Sequence, residues 1–197
     1  CGAGGVTSYD PANGKIIWKC ATSAVRVANA IAFDQEHVFV TSLRPNPEVI
    51  CIAANGHGDV TKSHISWRLP KIGSDRTSPI YYDGLLYVLA EDGRLSCIQS
   101  ATGKIEWTRQ LEGTFMASPV IAGPFLVCAN ETGLTFLVRT AGGITPLITN
   151  AIPDGIVATP IIAGDSIFFR TNGQLHRVVA LNPQPVVERP NDFKRRY

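Results

Sequence analysis

Ser78-Pro79-Ile80-Tyr81-Tyr82-Asp83-Gly84 opens a unit that the chain repeats. It returns as Ser118-Pro119-Val120-Ile121-Ala122-Gly123 and as Thr159-Pro160-Ile161-Ile162-Ala163-Gly164, with the prolines 40 and 41 residues apart. Proline is tolerated at the first residue of a strand, where it forfeits little ladder bonding, and the glycine closes a tight hairpin turn. A second apolar run follows each copy (85–90, 125–129 and 166–170), and then a second turn carrying Gly93, Gly133 or Gly173, each 40 residues from the last. A third run follows each of those glycines.

The fourth element is clearest in Thr102-Gly103-Lys104-Ile105-Glu106-Trp107, whose relative is Asn13-Gly14-Lys15-Ile16-Ile17-Trp18. Trp67 lies 40 residues before Trp107, but Trp18 lies 49 before Trp67, so that unit carries nine extra residues. They are expected within 43–66, where Pro45, Pro47, Gly56 and Gly58 read as irregular loop. After Trp107 the tryptophan is lost. Ile148 stands in its place, and the preceding turn becomes Ala141-Gly142-Gly143-Ile144.

Four short strands per unit, a period near 40 and glycine turns describe the blades of a β-propeller. A β-helix needs shorter repeats, and leucine-rich or ankyrin repeats need helical stretches that are absent here. The expectation is an all-β chain of about four blades of four-stranded antiparallel sheet. The blades fall at 5–20 (partial), 28–68, 77–110, 117–150 and 157–180, with a C-terminal tail over 181–197. Each blade packs on a neighbour through both faces, which explains near-continuous apolar runs such as Leu85-Leu86-Tyr87-Val88-Leu89. Trp18, Trp67 and Trp107 then read as structural wedges that dock one blade on the next, and removing Trp107 is expected to cost about 3–5 kcal/mol.

The first unit has a third and fourth strand but no first or second. The last has only Val186-Val187 as a short fourth strand, after Asn182-Pro183-Gln184-Pro185. The chain therefore reads as the C-terminal part of a ring of about seven or eight blades, with the remaining blades in the same longer chain. Cys1 reads as the lipid-bearing residue of a processed lipoprotein or as a cut inside a longer chain, and the strand count favours the cut.

Composition narrows the function. Hydrophobic residues make up 45% of 197 and suffice for a substantial core, whereas 17% charged residues argue against long solvated helices. A net charge of +2 is too small for a nucleic-acid footprint, and Lys194-Arg195-Arg196 reads as a solvated tail. No apolar run approaches the ~20 residues of a membrane-spanning helix. The five cysteines (Cys1, Cys20, Cys51, Cys97 and Cys128) cannot pair completely and show no metal-ligand spacing, so they read as small buried residues. His37, His57, His64 and His176 are scattered, and no nucleophile motif or phosphate loop is present.

The segment Ser8-Tyr9-Asp10-Pro11-Ala12-Asn13-Gly14-Lys15-Ile16-Ile17-Trp18 resembles the tryptophan-docking motif of quinoprotein-type repeats. Cys97 to Trp107 is similar, with Gln99 where the motif has Asp, and Gly58 to Trp67 looks like a variant. The likeness extends to about Val179 and is to PQQ-binding-like propeller repeat proteins, BamB-like and of planctomycete type. It implies one of two functions. The first is a non-catalytic scaffold that binds a protein or other ligand in the bacterial periplasm or cell envelope, as in the group that includes BamB. The alternative is a fragment of a PQQ-dependent dehydrogenase. Dehydrogenases of that kind would supply an adjacent Cys-Cys pair, calcium-binding acids and a catalytic Asp. This chain has no Cys-Cys, and Asp83, Glu91, Asp92 and Asp154 fall at turns. No catalytic residue, metal site or cofactor is therefore assigned, and the expected partner is a protein.

In register, the loops entering the innermost strands are 24–29, 72–77, 113–116 and 153–157. They line one mouth of the channel and bring Arg26, Arg76, Phe115 and Met116 to it. Arginine, methionine and aromatic residues are enriched at interface cores, so these four are the candidate binding residues.

Overall fold

A computed structural model describes residues 1–140 and 147–179. The turn at 141–144 and the tail at 181–197 lie outside the described residues. All the regular structure described is strand, in five consecutive sheets. Sheet one holds β1 (Gly5–Tyr9) and β2 (Ile16–Ala21). Sheet two holds β3 (Ala32–Phe33), β4 (His37–Ser42), β5 (Glu48–Ala53) and β7 (Ile65–Pro70), while β6 (Gly58–Asp59) leaves it to join sheet one. Sheet three is β8 (Ile80–Tyr82), β9 (Leu85–Leu89), β10 (Arg94–Gln99) and β11 (Ile105–Gln110). Sheet four is β12 (Val120–Ala122), β13 (Phe125–Ala129), β14 (Leu134–Arg139) and β15 (Ile148–Ala151). Sheet five is β16 (Ile161–Ala163), β17 (Ser166–Arg170) and β18 (Leu175–Val179). Within sheets two to five the strands are antiparallel neighbours in sequence order, the meander of a propeller blade.

The segment read as irregular loop at 43–66 is only partly so. Val49, Ile50, Cys51 and Ile52 are all buried, and that apolar run forms β5. The excess falls mainly between β5 and β7, an eleven-residue connection (54–64) against five residues (100–104) in sheet three. Its β6 pairs in parallel with β2, Trp18 opposite Gly58 and Lys19 opposite Asp59. The Thr61 hydroxyl accepts the Ala21 N–H at 2.9 Å. The insertion thus covers the outer edge of sheet one, an edge that would otherwise present free backbone groups.

The core is a series of layers between successive sheets. Val6, Trp18 and Cys20 meet Val40, Ile50 and Ile52 between sheets one and two. Phe39 and Val49 meet Leu86 and Ile98 between two and three. Tyr87 and Leu95 meet Leu126 and Phe136 between three and four, and Val127 and Ala129 meet Phe169 between four and five. Each strand buries alternate residues on its two neighbours, so every sheet needs apolar side chains on both faces.

Two repeating contacts fix one sheet on the next. On the outer strands, the indole N–H of Trp18 donates to Ala54 O at 3.0 Å, and that of Trp67 donates to Ser100 O at 2.9 Å. Each acceptor lies just after the third strand of the following sheet. The Trp67 ring lies against Gly103, where any β-carbon would fall within 2.8 Å of the ring, so only glycine admits this approach. On the inner strands, the Ala30 N–H donates to Ser78 Oγ at 2.9 Å, the Ser78 N–H to Ser118 Oγ at 2.9 Å, and the Ser118 N–H to Thr159 Oγ1 at 3.1 Å. The hydroxyls before the repeated prolines thus stitch neighbouring sheets around the channel. Ser118→Ala is expected to cost about 1–2 kcal/mol by orphaning the Ser78 N–H. Urea denaturation checks this, and an unchanged midpoint would show that the contact contributes nothing.

Candidate functional site

The loops that enter the innermost strands, together with the turns between second and third strands, form one mouth of the channel. Backbone hydrogen bonds run between successive members of this set. The Ala28 N–H donates to Asp75 O, the Phe115 N–H to Glu91 O and the Glu131 N–H to Thr114 O, at 2.8–2.9 Å. The rim is therefore a continuous arc.

The structure brings two of the four candidates together. The Arg76 guanidinium reaches Met116 Sδ across one blade boundary, with Arg76 exposed and Met116 half-buried. Arg26 is exposed on the loop between sheets one and two. Phe115 departs from the expectation. It lies in the mouth loop, but its ring is fully buried against Phe136, with ring centroids 5.9 Å apart, and belongs to the layer between sheets three and four. Its apolar area gains more from that layer than from the rim, so it is not free to meet a partner.

Sequence reasoning missed the polar network beneath the rim. Asp75 is 2% exposed. Its Oδ1 accepts the Leu43 N–H at 2.7 Å, and its Oδ2 lies 3.9 Å from Arg44 Nη1. Glu91 Oε1 accepts the N–H groups of Asp75 and Arg76 and the Ser74 hydroxyl, at 2.9–3.1 Å. The Asn29 amide donates to Ser74 O at 2.7 Å. This network holds the loop over 72–77 and fixes the base from which Arg76 projects. The only signal in the sequence was the Ser74-Asp75-Arg76-Thr77 run, which has the hydroxyl and carboxylate chemistry of a self-bonded turn.

Trp18 is 3% exposed, whereas Trp67 and Trp107 are half-buried. All three stand on outer strands, away from the mouth. Cys20, Cys51, Cys97 and Cys128 are buried in the sheets and Cys1 is exposed. Burial pushes the Cys51 and Cys128 thiols up to about 12 and Cys97 to about 11. Since the thiolate is the reactive form, a thiol reagent at neutral pH is expected to label one cysteine quickly in the native protein and all five after denaturation. Two or more fast thiols would contradict this packing. Among the described residues no cluster of three or more His, Cys, Asp or Glu could hold a metal ion. No adjacent cysteine pair exists to sit beside a quinone. The donor set of a quinoprotein centre is therefore not supplied by the described residues. Among the described residues no helix is long and apolar enough to cross a membrane.

Comparison with known proteins agrees with this architecture. A family model described as "Outer membrane protein assembly factor BamB" matches residues 2–180. BamB of Moranella endobia (strain PCIT) is 23% identical over 105 residues, 53% of this chain and 26% of that protein. BamB of Salmonella typhimurium (strain LT2) is 24% identical over 101 residues, 51% of this chain and 25% of that protein. The matches thus span about a quarter of the curated relatives' length. Among solved structures, BamB from Moraxella catarrhalis aligns with a TM-score of 0.71 at 17% identity, covering 89% of this chain and 52% of that one. The computationally designed Ika4 protein aligns at 0.67 and 10% identity, covering 84% of this chain and 98% of that one. A quinohemoprotein alcohol dehydrogenase from Pseudomonas putida HK5 aligns at 0.53 and 17% identity, covering 64% of this chain and 21% of that one. At these identities the structural likenesses establish the fold alone.

Proposed function

The chain belongs to the family of the outer membrane protein assembly factor BamB, and on that premise we propose that it is a non-catalytic β-propeller scaffold that binds a protein partner in the bacterial cell envelope. The observation that carries the reading is the family match over 2–180. The rim supports it. Exposed Arg26 and the Arg76–Met116 pair offer cationic and soft apolar contacts on loops held rigid from below. Such a surface suits recognition, because the fixed loops lose little conformational freedom on binding.

The second reading is part of a quinone-dependent dehydrogenase. It is favoured only by the docking motif and by the fold shared with the Pseudomonas putida enzyme. One pair of measurements separates the two. Purified protein, given pyrroloquinoline quinone and calcium, is expected to show no dye-linked oxidation of alcohols or sugars. Envelope proteins captured on it are expected to be lost from an Arg26→Glu/Arg76→Glu variant that keeps the native melting temperature. Robust quinone-dependent turnover, or capture indifferent to both charge reversals, would overturn the proposal.

A further inference from the structure

Three asparagines are followed by glycine: Asn13-Gly14, Asn55-Gly56 and Asn172-Gly173. Such a pair can react with itself. The glycine nitrogen attacks the asparagine side-chain carbonyl carbon, and glycine has no β-carbon to hinder the approach. The fold treats the three pairs differently.

Asn13 is locked. Its Nδ2 donates to Asp10 Oδ2 at 2.6 Å, and its Oδ1 accepts the Lys15 N–H at 2.9 Å. The attacking group is engaged too, since the Gly14 N–H donates to Asp10 O at 2.8 Å. Asn172 is locked through one carboxylate. Its Nδ2 donates to Asp154 Oδ1 at 3.2 Å, and the Gly173 N–H donates to Asp154 Oδ2 at 2.8 Å. Asn55 has neither restraint. It is exposed in the connection between β5 and β7, and among the described residues neither its side chain nor the Gly56 N–H forms a hydrogen bond. Gly56 is buried, and a β-carbon there would collide with Val60 and the His64 ring. Packing thus holds the glycine in place while the asparagine side chain is free to swing onto it.

We infer that Asn55 is a site of spontaneous modification: it deamidates to aspartate and isoaspartate, and the isoaspartate form releases the insertion from sheet one. The Gly56 nitrogen loses its proton to hydroxide and bonds to Asn55 Cγ. The Cγ–Nδ2 bond breaks, and Nδ2 takes a proton from water and leaves as ammonia. Water then opens the cyclic imide. Opening at one carbonyl gives aspartate, and opening at the other routes the main chain through the side chain as isoaspartate. Nothing is oxidised or reduced.

The consequence follows from where residue 55 sits. Ala54 O accepts the Trp18 indole N–H at 3.0 Å, and Gly58 stands opposite Trp18 in the pairing of β6 with β2. The segment 54–58 is therefore tied at both ends to one residue. Isoaspartate lengthens the main chain between those ties and adds a negative charge, so β6 loses its register on β2.

The full chain is incubated at mildly alkaline pH and digested, and each peptide is weighed for the exchange of –NH2 for –OH. In the native protein Asn55 is expected to convert about tenfold faster than Asn13 or Asn172, because those must first give up two or more hydrogen bonds. In urea the three rates should converge. Amide hydrogen exchange reads the consequence. The Ala21 N–H, on Thr61 Oγ1, and the Val60 N–H, on Lys19 O, are expected to exchange about tenfold faster in the aged chain than in the fresh one. An Asn55→Gln chain aged alongside should show no change. Conversion of Asn13 or Asn172 as fast as Asn55 in the native protein would overturn the assignment of the site. Unchanged exchange at Ala21 and Val60 after Asn55 has converted would overturn the release of the insertion.

Discussion

Trp18→Ala is expected to lower the unfolding free energy by about 3–5 kcal/mol. The ring is 3% exposed and fills the layer between sheets one and two against Val40, Ile50 and Ile52. Its N–H also satisfies Ala54 O, so truncation opens a cavity and orphans a carbonyl together. Trp107→Ala, which the repeat alone makes equally costly, is expected at about 2–3 kcal/mol, because part of that ring already faces solvent. Urea denaturation of both variants checks the order. Equal losses would mean that burial of the ring does not set the cost.

Gly133→Ala is the other severe change, expected to cost about 3–5 kcal/mol or to prevent folding. Gly133 has φ of 89°, as Gly93 has 87°, a left-handed conformation that places a β-carbon against the following carbonyl. That β-carbon would also collide with Ile152 O and Asp154 O, both backbone atoms of the loop leading to sheet five. Neither can swing aside as a side chain could. The Ile152 N–H donates to Gly133 O at 2.9 Å, so any shift breaks that bond as well. Thermal melting is the measurement, and a loss under about 1 kcal/mol would show that the loop relaxes freely.

What was legible in the sequence is what the repeat enforces. Pro79, Pro119 and Pro160 mark strand starts and Gly93 and Gly133 mark turns, because backbone geometry at those points tolerates few residues. The recurring tryptophans marked the outer strands for a different reason, the docking of the indole on the next sheet. The insertion was not legible, since β6 pairs with β2 through two residues, Gly58 and Asp59, of no strand propensity. Phe115 and Met116 are adjacent apolar residues of one loop, yet Phe115 is buried against Phe136 while Met116 stays half-buried beside Arg76, a difference set by contacts with other sheets and not by residue class. The Asp75–Glu91 network was hidden because the two carboxylates belong to different turns and each serves backbone groups of another segment, Asp75 the Leu43 N–H and Glu91 the N–H groups of Asp75 and Arg76. The hydroxyls of Ser78, Ser118 and Thr159 were visible, but their inter-sheet role depends on the spacing of sheets rather than on residue type.

Site-specific photocrosslinking in living cells tests the scaffold account most directly. A photoreactive residue is placed at Arg26 or Met116, on the proposed binding mouth, and at Asp83, in a first-to-second-strand turn at the opposite mouth. The account predicts a discrete adduct with an envelope protein from positions 26 and 116 and none from 83. Adducts from 83 alone, or equal adducts from all three, would contradict it.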